Sequence, residues 1–75
     1  MTQASTTTLP QIMRLPAVMG AVGLSRPSIY RLMKERTFPA QVKLGMASVG
    51  WLRAEIEAWI AARVSARDSQ ALLAA

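Results

Sequence analysis

The sequence contains neither cysteine nor histidine. Those absences exclude disulfide staples, thiol nucleophiles, imidazole bases and every zinc site built from thiolate or imidazole ligands. Acidic residues are scarce too: Glu35, Glu55, Glu57 and Asp68 are all there are. Glu55 and Glu57 stand two apart in a helical pattern and point about 200° away from each other, so they fail as an acid/base pair. There is no glycine-rich phosphate loop and no nucleophile–base pair. The expectation is a non-enzyme, with no catalytic residues, no metal ligands and no cofactor. Long hydrophobic runs are missing as well, although 52% of residues are apolar. The longest mostly apolar stretch, Leu15 to Leu24, is about half the roughly twenty residues a membrane span needs, and it holds a proline and two glycines. Met1 to Leu9 is rich in threonine and lacks the basic start of a secretory signal. The reading is a cytoplasmic, nucleoid-associated protein with no membrane partner; the unused cysteines agree with it.

What the chain does have is positive charge. Nine Lys and Arg against four acids give +5 in 75 residues. A chain of this length makes one small domain, which hides only about 60–65% of its unfolded surface. The charge is lopsided. Arg14, Arg26, Arg31, Lys34, Arg36 and Lys43 are offset only by Glu35, whereas Arg53, Arg63 and Arg67 balance Glu55, Glu57 and Asp68. A basic half and a neutral half suit a domain with one face toward phosphate and another toward protein. Solubility is the plainer explanation of the same charge.

Local patterns divide the chain. Thr2 to Thr8 is polar and unpatterned, which predicts a disordered tail over about 1–9. Pro10 to Leu15 holds a short strand with Ile12 inward. Pro16 opens a helix over about 16–22, carried by Val18, Met19 and Val22, and Gly23 sits where a left-handed cap is wanted. Ser25 caps a second helix over about 26–36, with Pro27 in its first turn. Ile29, Leu32 and Met33 share one face of it with the stem of Arg36. Pro27, Tyr30, Arg31 and Lys34 lie opposite, flanked by Arg26 and Ser28. Phe38-Pro39 closes this helix, and Phe38 has the bulk to plug the core.

Residues 41–51 read as a β-hairpin, two short alternating segments around the turn Gly45-Met46-Ala47-Ser48. Leu52, Ile56, Trp59, Ile60 and Val64 then fall on one helical stripe, which predicts a third helix over about 52–66 and a C-terminal tail over 68–75 that either frays or continues the helix. Trp51 and Trp59 read as packing residues rather than base-stacking platforms. Glu55 and Glu57 read as surface residues near the helix start, where negative charge is favourable.

Helix, three-residue turn, helix, hairpin, helix is the order of a winged helix-turn-helix. The architecture is mostly α with a small hairpin, and a 10–67 domain carries it. In that arrangement the second helix projects outward, able to enter a major groove. Arg26, Tyr30, Arg31 and Lys34 occupy its free face. Arginine matches the two acceptors of guanine and serves phosphate equally well. Ser25 and Ser28, with the free amides of the helix start, suit a phosphate oxygen. Tyr30 can cover Arg31 or Lys34 with its ring while its hydroxyl reaches a phosphate. Lys43 and Ser48 would touch backbone or minor groove from the hairpin. The candidate DNA-binding set is therefore Ser25, Arg26, Pro27, Ser28, Tyr30, Arg31, Lys34, Lys43 and Ser48.

Several of these residues stand in a familiar order. Arg14-Leu15-Pro16, Gly23-Leu24-Ser25-Arg26, Ser28-Ile29-Tyr30-Arg31-Leu32, Lys34-Glu35, Phe38-Pro39, Val42-Lys43-Leu44-Gly45, Val49-Gly50-Trp51-Leu52 and Glu55-Ile56-Glu57-Ala58-Trp59-Ile60 resemble the AlpA family of phage-derived regulators. The resemblance spans about residues 12–64. It implies a fold like that of MerR-type proteins and phage excisionases, and a role in transcriptional control of integrase genes or excision of integrated elements. It also implies that Ser25 to Lys34 is the recognition segment and Gly45 to Ser48 the wing tip. The chain departs from the family pattern at three places. Arg36 replaces a frequent glycine, Ala40-Gln41 replaces Lys-Pro, and Ala47 replaces a basic residue at the wing tip.

The leading expectation is sequence-specific double-stranded DNA binding at promoter or attachment-site repeats, as regulator or excisionase. So short a domain reads few base pairs, so copies should self-associate cooperatively on DNA. The alternative is a protein-interaction module that recruits integrase or RNA polymerase through helix 52–66 and the C-terminal tail, with Leu72 and Leu73 in its apolar surface.

Overall fold

In the computed structural model, residues 9–74 are described, their side chains as far as Ala71. The expected tail over 1–9 lies outside the described residues except for Leu9, which is exposed. The elements run β1 (Ile12–Met13), α1 (Leu15–Val22), α2 (Arg26–Lys34), β2 (Val42–Lys43), β3 (Val49–Leu52) and α3 (Arg53–Ala74). The molecule is thus mostly helical, with three helices and a small antiparallel sheet among the described residues.

The sheet order is β1-β3-β2. Ile12 pairs with Leu52 and Met13 with Trp51 on one side of β3, while Val42 pairs with Gly50 and Lys43 with Val49 on the other. This register corrects the expectation for β1: Ile12 is 38% exposed, and Met13 packs against the core instead. In a strand this short, a one-residue shift exchanges the two faces. Ile12 has a different task, lying over Gly50. A Cβ added at Gly50 would overlap Ile12 Cγ2 and stand 3.0 Å from the carbonyl oxygen of Met13. Gly50→Ala is therefore expected to cost about 1–3 kcal/mol through overpacking. Urea denaturation should show it, and Ile12→Ala should relieve part of the loss in the double variant.

The core draws one buried side chain from each part of the chain: Val18 of α1, Ile29 of α2, Phe38 of the following loop, Trp51 of β3 and Ile56 of α3. Met13, Leu15, Met19, Leu32, Met33, Trp59 and Ile60 pack around them. The indole N–H of Trp51 donates to Pro39 O at 3.1 Å, and that of Trp59 donates to Thr37 O at 2.7 Å. Phe38 meets Trp59 edge to face at 4.9 Å between centroids. Both indoles therefore tie the loop after α2 to the sheet and α3, as packing residues do.

The helix ends are set by local chemistry. Gly23, at φ 72°, donates its N–H to Met19 O and closes α1. α2 stops at Lys34, two residues short of the expected limit. Thr37 N–H donates to Leu32 O, Arg36 N–H donates to Met33 O, and Arg36 itself adopts φ 63°. These paired bonds around a left-handed residue form a Schellman cap. Arg36 accordingly leaves the helix, and its stem does not continue the Ile29 face. A residue with a Cβ is strained at this φ, so Arg36→Gly should raise stability by about 0.5–1 kcal/mol, read as an upward shift in Tm.

α3 exceeds its expected limits at the far end. Leu52 belongs to β3, and the helix runs on through Ala74, so that of the two alternatives for the C-terminal segment it continues the helix. No proline or glycine occurs after Gly50. Alanine, arginine, glutamine and leucine, all strong helix formers, fill most of the remainder. Tertiary burial ends well before the helix does. From Ala61 to Ala71 every residue is exposed. Arg53 and Glu57 pair at 3.7 Å along the solvent side.

Candidate nucleic-acid interface

α2 is held from behind and left free in front. Ile29 is fully buried, and Leu32 and Met33 are half-buried against the same core. Arg26, Pro27, Arg31 and Lys34 are exposed, and Tyr30 is half-buried between the two faces. The structure thus brings five of the nine predicted residues together on or beside one free helix face.

Ser25 caps the helix as expected. Its backbone is extended, its Oγ accepts from Ser28 N–H at 3.4 Å, and its carbonyl accepts from Ile29 N–H at 3.0 Å. The Ser25 hydroxyl donates to Ser28 Oγ at 3.0 Å. Both hydroxyls therefore already serve the helix start, and both lie at the surface, where a phosphate oxygen can compete for them.

The charges along the free face are loosely held. Arg26 lies over the ring of Tyr30, its Cζ 5.9 Å from the centroid. This corrects the expectation that Tyr30 would cover Arg31 or Lys34. Arg26 and Tyr30 stand one helical turn apart, which brings them onto the same side. Arg31 instead approaches Glu35, Nε to Oε2 at 3.9 Å, with both side chains more than half exposed. An exposed pair of this length contributes little, about 0–0.5 kcal/mol. Arg31 is accordingly available to another anion.

Lys43 and Ser48 are on the hairpin, apart from α2. Lys43 is exposed on β2. Ser48 is half-buried, and its carbonyl closes the turn by accepting from Leu44 N–H at 2.7 Å and Gly45 N–H at 3.2 Å. Met46 stands at the tip, 99% exposed.

Arg14 was not among the predicted residues. It precedes α1, is exposed, and donates its Nε to Val49 O at 2.9 Å, across 35 residues of sequence. Its position in the basic half was visible in the sequence, but the long-range bond was not. An open groove runs between residues 36–42 and α3, lined by Phe38, Gln41, Glu55 and Trp59. None of the nine predicted residues lines it.

A capped helix with a cationic outer face, packed behind by a second helix and flanked by a hairpin, defines a small basic domain of helix–turn–helix connectivity. The chain belongs to the AlpA family: residues 11–64 match the family model described as prophage CP4-57 regulatory protein (AlpA). It is 45% identical to the uncharacterized protein ORF88 of Enterobacteria phage P4, over 80% of this chain and 68% of that protein. It is 41% identical to the DNA-binding transcriptional activator AlpA of Escherichia coli K12, over 71% of this chain and 84% of the relative. No solved structure matches it significantly.

Proposed function

We propose that this protein is a sequence-specific double-stranded DNA-binding regulator, built as a winged helix-turn-helix, in which α2 enters the major groove and the hairpin serves as the wing. The observation that carries this reading is the free face of α2, where Arg26, Arg31 and Lys34 stand exposed while Ile29 anchors the opposite side. The similarity to a relative named as a DNA-binding transcriptional activator supports it. Ser25, Pro27 and Ser28 set the helix start against phosphate, Tyr30 steadies Arg26, and Lys43 and Ser48 act from the wing. The same contacts serve either promoter occupancy or excisive recombination. Because the domain spans few base pairs, copies bind repeated sites cooperatively. The expected site of action is the cytoplasm, on the nucleoid; no helix among the described residues is long and apolar enough to cross a membrane.

The protein-interaction reading draws on one observation, the exposed stretch of α3 beyond Ile60. The side chains of Leu72 and Leu73 lie outside the described residues. On that reading, Arg31→Ala and Lys34→Ala leave recruitment of integrase or RNA polymerase intact.

Fluorescence anisotropy against a duplex from the neighbourhood of the protein's own gene and a scrambled duplex, at two salt concentrations, tests the proposal. Tighter binding to the native duplex that survives added salt is expected. Equal binding to both that disappears with salt would leave only unspecific phosphate attraction and overturn it.

A further inference from the structure

We propose that the wing is a minor-groove wedge, with Met46 the side chain that enters a base step and bends the duplex. The inference rests on the DNA-binding reading above and adds a second activity to it. The tip residues Gly45, Met46, Ala47 and Ser48 carry no charge, so the tip offers no cation to a phosphate. Met46 is 99% exposed, and Leu44 just before it is 44% exposed. Scattered apolar residues are ordinary on protein surfaces. What distinguishes Met46 is the support beneath it.

The turn is closed by two amides on Ser48 O, at 2.7 and 3.2 Å. Arg14 clamps the first residue of β3 by donating to Val49 O at 2.9 Å. Gly50, next in the strand, is buried, with Ile12 and the Met13 carbonyl so close over it that a side chain there would clash. The result is an unbranched, polarizable side chain held on a braced base with small residues on either side. The base of the wing is cationic where the tip is not. Lys43 and Arg14 are both exposed, and among the described residues Arg14 bonds through Nε alone, its terminal nitrogens making no bond there.

An apolar tip above a cationic base matches the chemistry of a duplex edge. The phosphates answer the cations, and the apolar surface the duplex offers is the faces of its base pairs, reached by parting a step. Side chains of this kind, methionine among them, part steps from the minor groove and kink the duplex by about 20–90°. Pyrimidine–purine steps yield most easily, so Met46 favours sites that carry one beside the α2 contacts.

The experiment uses the full chain and a duplex it selects from a random-sequence library. The duplex carries dyes at both ends to report bending and a fluorescent adenine analogue at pyrimidine–purine steps to report unstacking. The wild-type protein should shorten the end-to-end distance and brighten the analogue at one step. Met46→Ala should keep its far-UV circular dichroism, lose both signals and bind about five- to tenfold more weakly. Met46→Leu should retain both signals. Met46→Lys should regain affinity through phosphate attraction without regaining the bend. Bending and brightening unchanged in Met46→Ala overturn the wedge, as does specific wild-type binding with no bend; in both cases the DNA-binding reading stands. Failure of the wild-type protein to select any sequence overturns both.

Discussion

Trp51→Ala is expected to remove a large share of the domain's stability and to lower its Tm steeply. Trp51 is fully buried at the meeting point of the sheet and helices, in contact with a core of only four other fully or nearly buried side chains. Truncating a buried tryptophan costs about 3–5 kcal/mol. The whole stability of a chain this long is about 4–11 kcal/mol. The substitution also removes the indole N–H that holds Pro39 O at 3.1 Å, and with it the loop that carries Phe38 into the core. Trp51→Phe keeps most of the burial and loses the hydrogen bond, so it should cost only about 1–2 kcal/mol. Thermal denaturation followed by far-UV circular dichroism separates the two. A near-native melting curve for Trp51→Ala would show that the core is organised around another residue.

The parts of this structure that were legible in the sequence are those governed by neighbouring residues. Gly23 and Ser25 announce the end of α1 and the start of α2 because a left-handed cap and a hydroxyl cap each require a particular residue type at one position. The helix starts opened by Pro16 and Pro27 follow the same logic. Departures arise where a longer-range force decides. Arg36 breaks the local rule, adopting a conformation usually left to glycine because the loop that follows is held by Trp51, Trp59 and Phe38. β1 offers two residues and hence no period to read, so its facing is set by pairing with β3 rather than by its own pattern. The apolar stripe of α3 stops at Val64 and predicts an end near 66, but intrinsic propensity without a breaker carries the helix through Ala74. Arg14 shows the same limit at the candidate site. Its charge is plain in the sequence, whereas its bond to Val49 exists only once the chain has folded.

At the proposed DNA face the largest effect is expected from Arg31. Arg31→Ala should weaken binding to the selected duplex by about 1–3 kcal/mol, roughly 5- to 150-fold, and relax the preference at one base position. Lys34→Ala should instead weaken binding evenly across sequences and lower the salt dependence by about one counterion. Glu35 provides the control of opposite sign. It sits 3.9 Å from Arg31 in an exposed pair and at the C-terminal end of α2, where negative charge opposes the helix dipole. Glu35→Gln therefore releases Arg31 and removes a like-charged neighbour of the phosphates, at little cost to the fold. Its affinity should rise about two- to fivefold, chiefly at low salt. Anisotropy titrations of the three variants on selected and scrambled duplexes read all of these together. If Arg31→Ala and Lys34→Ala lose affinity equally on both duplexes, α2 attracts the backbone without reading bases. If Glu35→Gln binds more weakly than wild type, the Arg31–Glu35 pair orients the guanidinium for DNA rather than competing with it.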